Sequence, residues 1–463
     1  MTNDELRHNI LSTLKVLFER SETKRSLQKT PSELKEELFD SLPEHASGFE
    51  EVLIELEEKV IPHLNQNTDP SYAAYITGSG HRISVIADVV KAYFNQNSLK
   101  WNNSPIASEL EQLVLKWTAD FLGVSDFRKG VLTGSGSMSN FLAIHFALAH
   151  HFPDREEQGL PKDVQPVVFC SAETHSSVER AMVFLGLGRA SLQKIPVNEG
   201  FQIDIDGLEE SLNQLQPEQK PIMLIGNAGS TNTGSVDDLR ALAAIARKHG
   251  MWYHVDGAYG LPAARVDTLK HHFTGFEEAD SITVNHHKWL FVNFEASCVL
   301  VRDFPNTFTF NPAYLTDFEA GRWESSSQTV DLSKEFRALK IWFTFKYLGA
   351  ERISEYISHD VQMTQYFAAE LEKTGIFEVE PTHPLSIVCF RVNLKGMTGE
   401  ENRQLTRKTI EAIEKDNRIF LTGTRLHGEP YIRAYFGNPE RTQADVDYMV
   451  EVLREIITGL TAK

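Results

Sequence analysis

From about residue 68 to 345 the chain alternates short apolar runs with longer stretches in which apolar side chains recur every three or four residues. The runs PVVFC (166–170), LQKIPV (192–197), PIMLIGN (221–227), MWYHVD (251–256), DSITVN (280–285) and SCVLVR (297–302) have the length and content of strands. Between them SSVERAMVFLGL, DIDGLEESLNQL and VDDLRALAAIARKHG carry the helical period, the last stopping at Gly250, a residue suited to a helix C-terminus. Strands that alternate with helices predict an α/β fold, a mainly parallel sheet covered by helices. Ligands of such sheets sit beyond the carboxyl ends of the strands.

The two ends of the chain follow other patterns. In residues 1–67, LSTLKVLFER, PSELKEELFDSL and FEEVLIELEEKVI repeat apolar residues at helical spacing, with Pro31 and Pro43 as breaks. These amphipathic segments hold no partner layer of their own, so they are expected to pack on the main body or on a second subunit. Residues 304–331 have no clean period and read as a long loop. After a helix around 334–350, SIVCFRVNL (386–394), RIFLTGTRL (418–426) and PYIRAYFG (430–437) predict a small antiparallel sheet, closed by a helix from about Gln443 to Gly459. The expected organisation is a helical N-terminal segment (1–67), a large α/β domain (68–345) and a small α+β domain (346–463).

Composition narrows the function classes. With 41% hydrophobic and 24% charged residues among 463, the chain has the balance of a soluble globular protein. The first twenty residues interleave charges with apolar side chains and lack a secretory core, and no segment offers the ~20 apolar residues of a membrane helix. A soluble, cytoplasmic protein with no membrane partner is expected. A net charge of −18 repels phosphodiester backbones, so nucleic acid is not an expected partner. Cys170, Cys298 and Cys389 lie far apart in strand-like runs and read as reduced core residues.

Four clusters could carry chemistry. VLTGSGSMSNFLAIHFALAHH is a strand, a small-residue turn and a helix, in which Gly134, Ser135, Gly136, Ser137 and Ser139 offer close backbone approach and hydroxyls at a helix N-terminus, a setting for a phosphate. Such turns are common, and the Lys-Ser/Thr ending of a nucleotide P-loop is missing. Asp256 ends a strand, where it is a helix cap or the partner of a buried cation. Lys288 follows Asn285, His286 and His287 at another strand end, either as a snorkelling side chain or as a desolvated amine able to form a Schiff base. His175 follows the VVFC strand. An anion cradle, an acid, an amine and a planar ring at successive strand ends are together what pyridoxal 5'-phosphate requires. Gly134-x-Gly136 also suggests a nicotinamide-dependent oxidoreductase, weakened by Ser139 at the third-glycine position and by the absence of a strand-end acid for the ribose. The pairs His150-His151, His271-His272 and His286-His287 lack HExxH spacing, and adjacent histidines point apart, so no metal centre is expected.

The series TGSGSMSN, THSSVERA, HVDGAYG and NHHKWL, with NQNSLKWNNSPIASELE upstream, resembles the group II pyridoxal-phosphate-dependent amino acid decarboxylases, relatives of the aromatic-amino-acid, histidine and glutamate enzymes. The resemblance runs from about Tyr72 to Gly349. It implies the fold type I architecture, a homodimer with its active site at the subunit interface, and a small-molecule amino acid substrate. Within it Lys288 resembles the Schiff-base lysine, Asp256 the partner of the pyridine nitrogen and His175 the ring-stacking histidine. Ser135, Gly136, Ser137 and Asn285 match the phosphate cradle, Thr231 and Ala258 the residues around the ring, and His287 the histidine before the lysine. Tyr314, in FNPAYLTD, matches the tyrosine of the family's mobile catalytic loop, which the resemblance implies protonates Cα after the carboxylate leaves. Relatives with phenylalanine there look like aldehyde synthases. Aminotransferases and lyases would share the cradle, Asp256 and Lys288; HKWL and Tyr314 favour decarboxylation. The chain departs from the family at His286, at Met138-Ser139 and at Gly257, none of which removes a catalytic group. The expected reaction is decarboxylation of an L-amino acid to the amine and carbon dioxide, with an aromatic substrate first and an acidic or other polar one second.

Overall fold

Apolar runs that are buried on both faces lose the polar alternation of half-exposed strands, and the central sheet is built from such runs. The computed structural model describes residues 2–20, 29–38, 41–127, 129–305, 325–381 and 384–462. Seven strands form the large sheet: β1 (Lys129–Thr133), β2 (Gln165–Ser171), β3 (Leu192–Ile195), β4 (Gln219–Asn227), β5 (Trp252–Asp256), β6 (Ser281–Val284) and β7 (Ser297–Val301). Their order is β1-β7-β6-β5-β4-β2-β3. Neighbours from β3 through β6 pair in parallel, whereas β7 is antiparallel to both β6 and β1. Each apolar run singled out in the sequence is a strand. β3 stops at Ile195, before Pro196, which has no N–H to give a ladder.

Period-two geometry assigns the two faces. Trp252 packs with Met223, Val299 and the helix Gly136–His151 through Leu142 and Phe146. Tyr253 and Val255 pack on the opposite face with Leu239 and Leu242 of the helix Leu239–His249. Trp252, His254 and Asp256 therefore share the face covered by Gly136–His151. Register then places Asn227, Asp256 and Thr283 side by side at the carboxyl ends of β4, β5 and β6.

The second sheet is antiparallel, in the order β10-β11-β9-β8, from β8 (Phe377–Val379), β9 (Ile387–Val392), β10 (Thr422–Leu426) and β11 (Glu429–Tyr435). The three residues of β8 are too few to show a period, and it was not among the expected strands. The helix expected around 334–350 runs instead over Arg337–Lys373, broken at Gly349, whose φ is +71°. Its first part lies in the large core through Ile341 and Phe345, its second in the small core through Phe367 and Leu371. Position 345 thus falls inside a helix shared by both cores. The closing helix is Gln443–Thr461.

Near the amino terminus lie the helices Asn3–Arg20, Pro31–Leu38 and Phe49–Glu55. Pro31, expected as a break, opens a helix, because a first-turn N–H has no intrahelical acceptor to lose. Leu11, Leu17, Phe18, Val52 and Ile54 are exposed. All three cysteines are free and buried. Among the described residues no helix is long and apolar enough to cross a membrane, and no cluster of side chains could hold a metal ion.

Candidate active site

The carboxyl ends of β4, β5 and β6 meet the N-terminus of the helix Gly136–His151 around a cavity of about 320 Å³. Ser135, Gly136, Ser137, His175, Thr231, Asp256, Ala258, Asn285, His287 and Lys288 all line it. The structure therefore brings together the residues the family resemblance marked except Tyr314, which lies outside the described residues, whereas Gly134 and Ser139 of the small-residue turn do not line the cavity, Ser139 being buried on Thr133 and Ser297.

Ser135 is the N-cap of the helix, its hydroxyl accepting from the Met138 N–H at 3.3 Å. The N–H groups of the first turn have no carbonyl four residues behind them, so they and the helix dipole favour an anion. A Cβ on Gly136 would stand 2.8 Å from Asn285 Oδ1, so glycine is what lets the cap and Asn285 close on one point. His287 Nδ1 accepts from the Ala296 N–H at 3.0 Å, which leaves the proton on Nε2 as a donor. Burial, helped by the Lys288 charge, pushes the His287 pKa down to about 3, so the ring is neutral at physiological pH.

Lys288 sits in the turn after β6, its backbone N–H donating to Asn285 O at 3.1 Å. Burial lowers the pKa of its amine, and the Asp256 charge acts against that shift. Asp256 is only 8% exposed. Its Oδ1 accepts from the Ala258 N–H at 3.1 Å and its Oδ2 from Asn140 Nδ2 at 2.7 Å. His175 stands open to the cavity, and its Nδ1 accepts from the Ser177 N–H at 3.2 Å, so the imidazole carries its proton on Nε2. Burial lowers its pKa too.

Several lining residues had no distinguishing signal in the sequence. Asn140 lies one helical turn beyond Gly136, inside a motif already singled out, so spacing places it on the same helix face without showing what it meets. Arg433 comes from β11 of the second sheet. Its Nη1 donates to Thr231 O at 2.9 Å, while its buried Nε has no partner among the described residues. Tyr75, Ile76 and Thr77 reach the cavity from an irregular segment before the first helix of the large body. His286, one of the departures from the family pattern, points away from the cavity, its Nε2 on Thr118 Oγ1 at 2.8 Å.

The residues present fit a planar heteroaromatic with an anionic tail. The glycine cradle at the helix N-terminus suits the tail, the amine of Lys288 suits an aldehyde, and the Asp256 carboxylate suits a protonated ring nitrogen.

Comparison with known proteins agrees. Aromatic-L-amino-acid decarboxylase of Bacillus atrophaeus is 29% identical over 432 residues, covering 91% of this chain and 88% of the relative. Phenylacetaldehyde synthase of Arabidopsis thaliana is 26% identical, covering 94% and 91%. A crystal structure of Oryza sativa TDC with PLP and tryptamine superimposes with a TM-score of 0.93 at 23% identity, over 99% of each chain, and shares the fold. The pyridoxal-dependent decarboxylase conserved domain matches residues 31–393, and with most of its length inside that match this chain belongs to the pyridoxal-dependent decarboxylase family.

Proposed function

We propose that the chain removes carbon dioxide from an aromatic L-amino acid, with pyridoxal 5'-phosphate as cofactor and as a cytoplasmic homodimer. The observation that carries this reading is the entry of Lys288 and Asp256 into one cavity from adjacent strand ends, beside a helix N-terminus. When bound, pyridoxal phosphate supplies an aldehyde that takes up amines and a ring that accepts the electron pair left by a departing carboxylate. Lys288, with its lowered pKa, is more often the neutral nucleophile that an aldehyde requires. Asp256 holds a negative charge where a ring nitrogen must stay protonated. The neutral His175 offers a flat face without competing for that charge. The capped helix, Asn285 and the Nε2–H of His287 are donors for a phosphate. Arg433 offers a cation to the carboxylate of an incoming amino acid.

Tyr75 and Ile76 in the lining support an aromatic side chain, as do the substrates in the relatives' names. An acidic amino acid is the second reading, because the Arg433 Nε, without a partner among the described residues, would equally suit a second carboxylate. The dimer reading is supported by the helix Ile83–Phe94, which exposes Val85, Ile86, Val89, Val90, Tyr93 and Phe94. Free cysteines agree with a reducing compartment.

The test is carbon dioxide release from a panel of amino acids and dihydroxyphenylalanine with added pyridoxal phosphate. Aromatic substrates are expected to yield amine and carbon dioxide. Lys288→Ala should lose borohydride-fixable cofactor and about a thousandfold or more in turnover. Tyr314→Phe should divert product to aldehyde, ammonia and hydrogen peroxide with uptake of dioxygen. Cofactor fixed at another lysine, or no release from any substrate, defeats the proposal.

A further inference from the structure

Beneath the cavity, a chain of side chains ends on the two groups that the proposed function places at the nitrogen and against the face of the cofactor ring. Asn140 is the junction. Its Nδ2 donates to Asp256 Oδ2 at 2.7 Å and to Ser177 Oγ at 3.0 Å. Ser177 Oγ in turn lies 2.8 Å from His175 Nδ1. Because Ser177 Oγ accepts from Asn140, its own proton is free to go to His175 Nδ1, the atom that also accepts the Ser177 N–H. One amide therefore spends both of its protons on Asp256 and, through Ser177, on His175.

The orientation of that amide is fixed from behind. An ionised carboxylate only accepts, so Nδ2 must face Asp256 and Oδ1 must face the sheet. There Oδ1 accepts from Thr283 Oγ1 at 2.9 Å and meets His254 Nε2 at 3.3 Å. His254 Nδ1 lies 2.8 Å from Ser281 Oγ, which accepts the indole N–H of Trp252 at 2.8 Å. Because Asn140 Oδ1 only accepts, the His254 proton resides on Nε2, pointing at Asn140, and His254 Nδ1 accepts from the Ser281 hydroxyl. Burial pushes the His254 pKa down to about 4, so one neutral tautomer persists across the physiological range. All of these groups except His175, which opens on the cavity, are buried, and the strand face shared by Trp252, His254 and Asp256 brings them into line.

We infer that Asn140 is a positioning residue, which couples the carboxylate of Asp256 to the ring of His175 and is itself held by Thr283 and the Trp252–Ser281–His254 relay. This rests on the reading of the cavity as a pyridoxal phosphate site. The amide fixes the rotation of the Asp256 carboxylate and holds the carboxylate and the imidazole in fixed relation.

The test compares wild type, Asn140→Ala and Thr283→Val, each loaded with pyridoxal phosphate. Asn140→Ala is expected to lower kcat about tenfold or more, with KM for the amino acid within about twofold of wild type. It should also displace the pH midpoint of the bound cofactor's visible absorbance by about half a pH unit or more, a readout independent of turnover. Thr283→Val keeps the buried volume, removes the donor to Asn140 Oδ1 together with the longer 3.4 Å contact to His254 Nε2, and should move both readouts less in the same direction. If Asn140→Ala lowers the melting temperature but leaves midpoint and kcat unchanged, the role is structural and the inference falls. If Asn140→Ala does not fold, Thr283→Val decides: a wild-type midpoint and kcat overturn the inference. A wild-type protein that takes up no pyridoxal phosphate defeats the proposed function itself, whereas a loaded, active wild type with insensitive variants defeats only the role of Asn140.

Discussion

Whether a lysine and an aspartate far apart in sequence can work on one molecule depends on where their strands end. Lys288 and Asp256 were legible in the sequence because each closes an apolar run, and strand ends of an α/β sheet face the ligand. Asn140 and Arg433 were not, because an asparagine inside a helix and an arginine in a strand acquire meaning only from what faces them. Gly136 tests the cradle at this scale. Alanine is ordinarily the better helix former, so Gly136→Ala should cost the fold little. Its Cβ, however, would stand 2.8 Å from Asn285 Oδ1 and force that side chain away. Pyridoxal phosphate is expected to bind about tenfold more weakly while the melting temperature of the cofactor-free protein stays near wild type, as followed by fluorescence titration and thermal unfolding. Unchanged affinity would remove Asn285 from the phosphate site.

Among the elements, helices with a one-sided pattern reveal where a second surface is needed. The helix Ile83–Phe94 has few buried side chains, and Tyr93 and Phe94 stay 60% and 63% exposed. An apolar face of this kind is costly in water and is expected to be covered. If it is the dimer contact, Ile86→Glu with Val90→Glu places two charges in that contact. Light scattering should then show 52.4 kDa monomers in place of a species of twice that mass, with an intact far-ultraviolet spectrum. A wild-type protein already monomeric at micromolar concentration would count against the contact. The long helix shows the opposite limit of sequence reading. Its period is clear on both sides of Gly349, yet that residue, at φ +71°, breaks the helix without ending it, so a single element carries the chain from one core to the other.

For the whole molecule, burial of neutral histidines ties stability to pH. Burial pushes His145, His286 and His287 down to about 3, and His151 and His254 down to about 4. Their unfolded values lie near 6.5, so the unfolded chain binds protons that the native protein refuses. The stabilisation is complete above pH 6.5 and is lost as pH falls through that value toward 4. Asp237 and Asp360, raised by burial to about 6, act in the opposite sense between about pH 4 and 6, but two groups oppose five. Unfolding free energy should therefore decline below pH 6.5, by at most about 4 kcal/mol per pH unit, as measured by urea midpoints at pH 7.5 and 5. A flat profile over that range would mean that these rings reach water in the native state. What the sequence alone determined was local in origin: strands from apolar runs, helices from their period, a phosphate-type turn from its glycines and serines, and the family from the order of its motifs. Pairing of distant segments was left to the tertiary structure. Only the register of β4, β5 and β6 decided that Asn227, Asp256 and Thr283 stand abreast, and only the packing of Gly136–His151 on that face brought Asn140 between Asp256 and Ser177. The reason is physical: a period reports which face of an element is buried, whereas a hydrogen-bond partner across the sheet depends on register, which the pattern of one strand does not contain.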